Sequence, residues 1–263
     1  MLMHQIKVAQ ALLSGVAEGG RGTSGTPHPK QPEKALKLYE FEGSPYCRRV
    51  REVLTTLNLD YEVYPCPKGA KKYRLDTQKL GGKQQFPFLV DENTGEKLYE
   101  SQQIIHHLFK HYGKTGKTPS KYAHYPKIPY VAYAGTLING AQGVWINRKV
   151  IHRDAPAQLL ELWGFEASPY TRIVRSALAE LELAHKFHNV AKERWQDQGP
   201  AVLRLKPGQY QALPGGKREQ VVKQMGRPGH DIQVPYLVDP NTGIKLFESK
   251  KIVEYLREQY GHA

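Results

Sequence analysis

The residues best placed to do chemistry come in matched pairs. Ser44-Pro45-Tyr46-Cys47-Arg48 has a counterpart in Ser168-Pro169-Tyr170-Thr171-Arg172. In each, a Ser followed by Pro and then an apolar 3.6-residue pattern reads as a helix start. Ser is a favoured N-cap and Pro suits the first helical position. The positive end of such a helix favours an anion, and Arg48 and Arg172 stand where they could reach one. Cys47 falls in the first turn, where its thiolate is favoured; a small buried thiol is the alternative. Cys66, in Pro65-Cys66-Pro67, ends the next strand on the same edge as Ser44, so a Cys47–Cys66 disulfide or a redox role for Cys66 is geometrically open. Two further pairs are Phe86-Pro87 with Val234-Pro235, and Glu100-Ser101 with Glu248-Ser249. Each Ser reads as a helix cap beside an exposed Glu. Lys68, Lys71, Lys72, Arg74, Lys79 and Lys83 make a basic cluster facing a single Asp76, and most of it reads as a solvated face.

Other signals fail on their spacing. Gly113-Lys-Thr-Gly-Lys-Thr118 lacks the first glycine of a phosphate loop, since residue 111 is His. His106, His107 and His111 share a helix without an acidic or cysteine partner, so they read as exposed histidines and no metal is expected.

The pairing extends well beyond these residues. Phe41–Asp60 and Phe165–Ala184 are identical at 11 of 20 positions, at an offset of 124. Phe86–Gly113 and Val234–Gly261 are identical at 15 of 28, at an offset of 148. The difference of 24 places an insertion within Val190–Gln233 of the second copy. Each copy is domain-sized. The division is residues 1–34 as N-terminal helix and linker, 35–113 as the first domain, 114–158 as connector, and 159–263 as the second domain.

Within a copy the elements follow from periodicity. Leu36–Phe41 alternates as a strand. Val50, Val53, Leu54 and Leu57 give the following helix its apolar face. Asp60–Tyr64 is a second strand, which makes a parallel βαβ unit. A basic stretch that can hold a helix leads to a hairpin turning at Asn93-Thr94-Gly95, then to a helix over Ile104, Ile105, Leu108 and Phe109 that stops at Gly113. The order is βαβαββα, an α/β class. Met1–Gly19 reads as a short amphipathic helix with Ile6, Leu12, Leu13 and Val16 on one side, and Gly19–Pro32 as a loosely packed linker.

The formal charge of +13 comes from 38 basic and 25 acidic residues among 263. It fits any anionic partner and selects none. No nucleic-acid reading element accompanies it, and no nucleic-acid partner is expected. Two cysteines exclude a disulfide scaffold. Ile128–Asn147 is too polar for a membrane span and reads as a buried inter-domain segment. Membrane association is not expected. With no convincing secretory signal the expected compartment is the cytoplasm, organelle import staying open.

The ordered set of S-P-Y-C, F-P-F and E-S in copy one, with S-P-Y-T, V-P-Y and E-S in copy two, resembles the thioredoxin fold. More narrowly, it resembles the N-terminal domain of glutathione transferases and their glutaredoxin relatives, over about Ala35–Gly113 and Leu159–Gly261. The resemblance implies two tandem thioredoxin-like domains. It implies glutathione, or another small anionic thiol, as ligand and cosubstrate. Ser44 and Ser168 would hydrogen-bond the thiol sulfur, with Cys47 at the second cysteine position of the glutaredoxin pattern. Tyr46, Arg48, Tyr170 and Arg172 would lie along the ligand. Pro87 and Pro235 would be cis, with Phe86 and Val234 presenting their backbones to the cysteinyl part. Glu100, Ser101, Glu248 and Ser249 would hold the γ-glutamyl end, and basic residues within Lys68–Lys83 the glycyl carboxylate. The implied activity is glutathione transfer, or glutathione-dependent reduction of a disulfide or peroxide. In this family an all-helical domain normally follows and forms most of the electrophile pocket; here a second copy follows instead. Ser44 and Ser168 also replace the first glutaredoxin cysteine, so a monothiol mechanism is not expected. The other reading is a non-catalytic binding or scaffold protein built on the two modules. On either reading the modules can pair with each other or form a homodimer.

Overall fold

A computed structural model describes residues 2–17, 20–123, 142–150, 152–198, 210–226 and 232–262. After α1 (Leu2–Ala17), the first module runs β1 (Leu36–Glu40), α2 (Pro45–Thr56), β2 (Tyr61–Pro65), α3 (Lys72–Gly81), β3 (Phe88–Asp91), β4 (Glu96–Leu98) and α4 (Ser101–Tyr112). A short α5 (Ser120–Ala123) follows. The second module repeats the order as β5 (Leu160–Gly164), α6 (Pro169–Glu180), β6 (His185–Asn189), α7 (Lys217–Gln224), β7 (Tyr236–Asp239), β8 (Ile244–Phe247) and α8 (Ser249–Tyr260). Both modules are thioredoxin-like βαβαββα units. Among its described residues the inserted stretch of the second has a 3₁₀ turn, Trp195–Asp197, ahead of α7; residues 199–209 and 227–231 of it lie outside the described residues.

The two four-stranded sheets are one. Strand order is β4-β3-β1-β2-β6-β5-β7-β8, joined by antiparallel pairing of β2 with β6: Tyr61 opposite Phe187, Glu62 opposite Lys186, Val63 opposite His185. Each of these strands would otherwise be a bare edge with unpaired backbone groups. An approximate two-fold axis thus passes through the seam. On one sheet face a single apolar core runs through both modules, from Val50, Val53 and Leu54 of α2 to Val174, Ala177 and Leu178 of α6. On the other face separate clusters lie around Phe88 and Trp163.

The seam is also charged. Arg51 Nε stands 2.9 Å from Glu166 Oε2, and its other nitrogens reach Glu40 and, at 3.5 Å, Glu42. In return Arg175 Nε stands 2.9 Å from Glu42 Oε2, with Nη1 2.7 Å from Glu166 Oε2 as a charge contact without the alignment of a hydrogen bond. Arg51 and Arg175, like Glu42 and Glu166, are matched at the 124-residue offset, so the network is reciprocal.

Gly19–Pro32 is not a loose linker over its described part. Lys192 donates its N–H to Thr23 O (2.9 Å), Gly25 N donates to Lys192 O (3.0 Å), and Ala167 N donates to Gly22 O (3.1 Å). The segment leading into the first module therefore straps the second. The connector does the converse. Lys68 N donates to Val144 O (2.7 Å) and Ile146 N to Lys68 O (3.0 Å). Of the expected buried segment Ile128–Asn147, residues 128–141 lie outside the described residues; the remainder is this strap. Gly22 and Gly143 turn the two straps at φ +77° and +74°, and a β-carbon on either would meet the β-carbon of Glu166 or Glu42 at 2.6 or 2.7 Å. Only glycine suits both conditions.

Helix α1 lies against α6. Among its described side chains Ala11 is buried, while Ile6, Leu12 and Leu13 face outward, the reverse of the expected side; the Val16 side chain lies outside the described ones. His107 also departs from its expected exposure. It is buried, with Nε2 2.8 Å from Asp91 Oδ2, to which Tyr112 OH also donates. In the second module Tyr255 and Tyr260 serve Asp239 in the same way. These carboxylates tie each hairpin to the last helix of its module. Among the described residues no helix is long and apolar enough to cross a membrane, and none of their His, Cys, Asp and Glu side chains form a metal-holding group of three or more.

Candidate functional site

In the first module the site begins where β1 ends. Ser44 N donates to Phe41 O (3.1 Å), which closes a turn, and Ser44 takes an extended conformation at the head of α2. Its Oγ accepts from Cys47 N at 3.3 Å. Ser168 repeats this at the head of α6, accepting from Thr171 N at 3.2 Å. Both hydroxyls are caps, as read from sequence. A cap uses one lone pair of the oxygen, so the hydroxyl can still donate; in the first module the Cys47 thiol is already a side-chain hydrogen-bond partner of Ser44. Replacing Ser168 by Ala should lower stability by about 1 kcal/mol through loss of the cap, measurable by urea unfolding.

The second segment arrives through the sheet. Tyr39 is opposite Phe88, which sets Pro87 beside the end of β1; Trp163 opposite Tyr236 does the same for Pro235. Both X-Pro bonds, Phe86-Pro87 and Val234-Pro235, are cis. The Phe86 ring meets Phe41 edge-on at 6.4 Å, which brings the loop before Pro87 against the loop before Ser44.

The third segment is the start of α4. Glu100 precedes the helix with φ +62°, ψ 113°, and Glu248 precedes α8 with φ +70°, ψ 116°. A non-glycine residue held there costs on the order of 1–3 kcal/mol, and such strain concentrates at functional positions. The cap position is therefore Glu, and Ser101 and Ser249 are first helical residues rather than caps. Both Ser side chains are buried, while Glu100 and Glu248 are exposed. Gln85 donates to Glu100 Oε1, linking the second segment to the third. Glu248 instead meets Lys251 at 3.4 Å.

Of the basic cluster, Arg74 reaches this place. Its Nε donates to Pro67 O (2.8 Å) and its guanidinium lies 4.8 Å over the Phe86 ring. Lys72 is drawn to Glu182 of the second module (3.5 Å), while Lys71, Lys79 and Lys83 are exposed. Tyr46 and Tyr170 sit exposed on the first turns of α2 and α6.

Three expected residues do not join the site. Arg48 pairs with Glu52 at 3.1 Å and approaches Glu166 at 4.0 Å, and Arg172 approaches Glu42 at 4.0 Å. Both are buried in the charged seam between the modules, turned to carboxylates already present. Cys47 is fully buried, and burial pushes its thiol up to about 12, so it is a neutral core thiol rather than a thiolate nucleophile. Cys66 is likewise a buried free thiol, held well above its ordinary value by burial, and no Cys47–Cys66 disulfide exists.

Sequence reasoning missed Gln85 and the straps. Gln85 directly precedes the Phe86-Pro87 pair and was legible as part of it. The straps correspond at an offset of 121 rather than 124, Gly22 to Gly143, with almost no shared side chains to reveal it.

Models of the glutathione S-transferase N-terminal domain match residues 38–117 and 167–259, one over each module. No curated protein and no solved structure matches the chain.

Proposed function

Because the chain is a tandem of two glutathione S-transferase N-terminal domains, we propose that it binds reduced glutathione and uses it as cosubstrate, in transfer to an electrophile or in reduction of a disulfide or peroxide. The observation that carries this is the convergence, in both modules, of a Ser-capped helix start, a cis-Pro strand start and a Glu-Ser helix start under positive φ. Ser44 or Ser168 turns its hydroxyl to donate a hydrogen bond to the sulfur, and the helix terminus behind it favours the thiolate. The backbones of Phe86 and Val234 pair with the cysteinyl unit in strand fashion. Glu100 or Glu248 accepts from the γ-glutamyl ammonium, and the N–H groups at the start of α4 or α8 receive its carboxylate. Arg74, already stacked on Phe86, meets the glycyl carboxylate in the first module.

The neutral, buried state of Cys47 favours chemistry on the glutathione sulfur rather than on a protein thiol. The burial of Ser44 and Ser168 favours a second reading, in which the modules bind without turnover.

Calorimetric titration with reduced glutathione tests the proposal. Saturable binding is expected, weakened about tenfold at the first site by Glu100→Ala and at the second by Glu248→Ala, equivalent to about 1.4 kcal/mol each. Absence of saturation at millimolar glutathione would overturn it. Binding without consumption of any electrophile, disulfide or peroxide would select the second reading.

A further inference from the structure

The helix face of the sheet carries the same groove twice, between α2 and α4 and between α6 and α8. In the first module Tyr122 of α5 plugs it and is 4% exposed. The Tyr122 hydroxyl stands 2.8 Å from Thr56 Oγ1, and its ring centre 5.3 Å from that of Phe109. Its backbone carbonyl accepts from Gln102 Nε2 at 3.1 Å. At the offsets of 124 and 148 the residues matching Thr56, Phe109 and Gln102 are Glu180, Arg257 and Lys250. All three line an open cavity of about 160 Å³ in the second module, and no aromatic ring is among its described lining residues.

Buried Ile173 and Ala177 of α6 and half-buried Val253 of α8 give this cavity an apolar floor. Its rim is charged. Glu180 Oε1 accepts from Gly143 N at 3.3 Å, and Oε2 stands 3.9 Å from Arg257 Nη2. Lys250 Nζ lies 3.7 Å from Glu254 Oε1. Lys7 of α1 adds a third cation, so cations outnumber carboxylates by three to two and an anion is favoured. Each change from the first module alters what an occupant must offer. Where Thr56 shares a hydrogen bond with a hydroxyl, the Glu180 carboxylate accepts one. Where the Gln102 amide donates to a carbonyl, the Lys250 ammonium favours a carboxylate. Where Phe109 meets the ring, the Arg257 guanidinium can stack on it.

We propose that this cavity binds a 4-hydroxyphenyl carboxylic acid with a short arm between ring and carboxylate, which presents as a free molecule the ring, hydroxyl and carbonyl that Tyr122 presents in the first module. The phenol donates to Glu180, the ring lies between Arg257 and the apolar floor, and the carboxylate meets Lys250. An apolar cavity of about 150 Å³ holds a benzene ring, so one ring fits here with its polar ends at the rim. The site uses neither Ser168 nor Glu248 and is independent of glutathione.

Calorimetric titration of the full chain with 3-(4-hydroxyphenyl)propanoate tests the site, against 3-phenylpropanoate, which lacks the donor, and 4-ethylphenol, which lacks the carboxylate. Saturable binding of the first is expected, with each of the others at least tenfold weaker. Lys250→Gln puts the first module's residue at an exposed position. It should weaken the acid about tenfold and change 4-ethylphenol by less than about twofold, which loss of folding would not mimic; Lys250→Arg should keep most of the affinity. Absence of saturation at millimolar acid overturns the site, and so does an affinity that neither Lys250→Gln nor Arg257→Ala changes. Displacement of the acid by reduced glutathione would place it at Glu248-Ser249 and overturn the site as well. Failure of glutathione itself to bind would overturn the earlier reading and leave this one standing.

Discussion

Replacing Arg51 by alanine should lower the unfolding free energy by about 3–5 kcal/mol, the range for removing one partner of a buried ion pair. Arg51 is almost fully buried and faces three carboxylates, Glu40, Glu42 and Glu166, from both modules. Coulomb attraction to these outweighs the burial that opposes its charge and holds its pKa well above the ordinary value. Alanine leaves the carboxylates in the seam with Arg175, Arg48 and Arg172. The cost is then uncompensated charge rather than the worth of one pair. Glu42 is held below the usual carboxylate range, since Arg175 and Arg51 outweigh its burial. It would feel the loss directly. Urea unfolding of Arg51→Ala, Glu166→Ala and the double variant measures this. The double variant should lose clearly less than the sum, because one network is broken twice. A loss under about 1 kcal/mol for Arg51→Ala would mean that water reaches the cluster and screens it.

That network explains what the sequence could and could not convey. The matched Ser-Pro, X-Pro and Glu-Ser pairs marked the modules and the three segments that converge at each site, because each pair carries a local backbone signature. Arg48 and Arg172 were matched just as well, and matching alone suggested ligands. A contact across a two-fold axis requires the same residues in both copies, as a repeated binding site does, so the repeat could not separate the two. The deciding fact is the pairing of β2 with β6, and nothing local specifies it. Tyr61, Val63, His185 and Phe187 are ordinary strand residues whose types name no partner strand. The straps were hidden for a related reason. They are held by backbone hydrogen bonds to Lys68 and Lys192 and need only glycine at the bend, so few side chains record them. The outward turn of Ile6, Leu12 and Leu13 has a similar origin: periodicity finds an apolar stripe on α1, but the small residue Ala11 is what fits against α6.

The seam also makes a prediction about acid. His185 lies in β6 opposite Val63, with Nδ1 3.0 Å from Leu183 O and Nε2 meeting no hydrogen-bond partner among the described residues. Burial pulls its pKa down to about 4; the Leu183 carbonyl resists, and Arg175 adds to the fall. Around it stand Arg175 of α6 and, across the axis, Glu42. In the unfolded chain a histidine takes a proton near pH 6.5. Between 6.5 and 4 the unfolded state therefore binds more protons at this residue, and its contribution to stability falls as pH falls. Wild type alone would not reveal this. Burial raises Glu40 and Glu52 to about 7 despite Arg51 and Arg48, so in the same window the folded state takes up protons there and the sign is opposite. The measurement is the difference between wild type and His185→Phe, which keeps a ring at the seam without a titrating nitrogen. Relative to wild type the variant should gain about 2–3 kcal/mol on going from pH 7.5 to pH 4.5, from the shift of roughly two and a half units. A difference that does not change with pH would mean that His185 protonates in place, with water or Glu42 accepting a hydrogen bond from the new N–H.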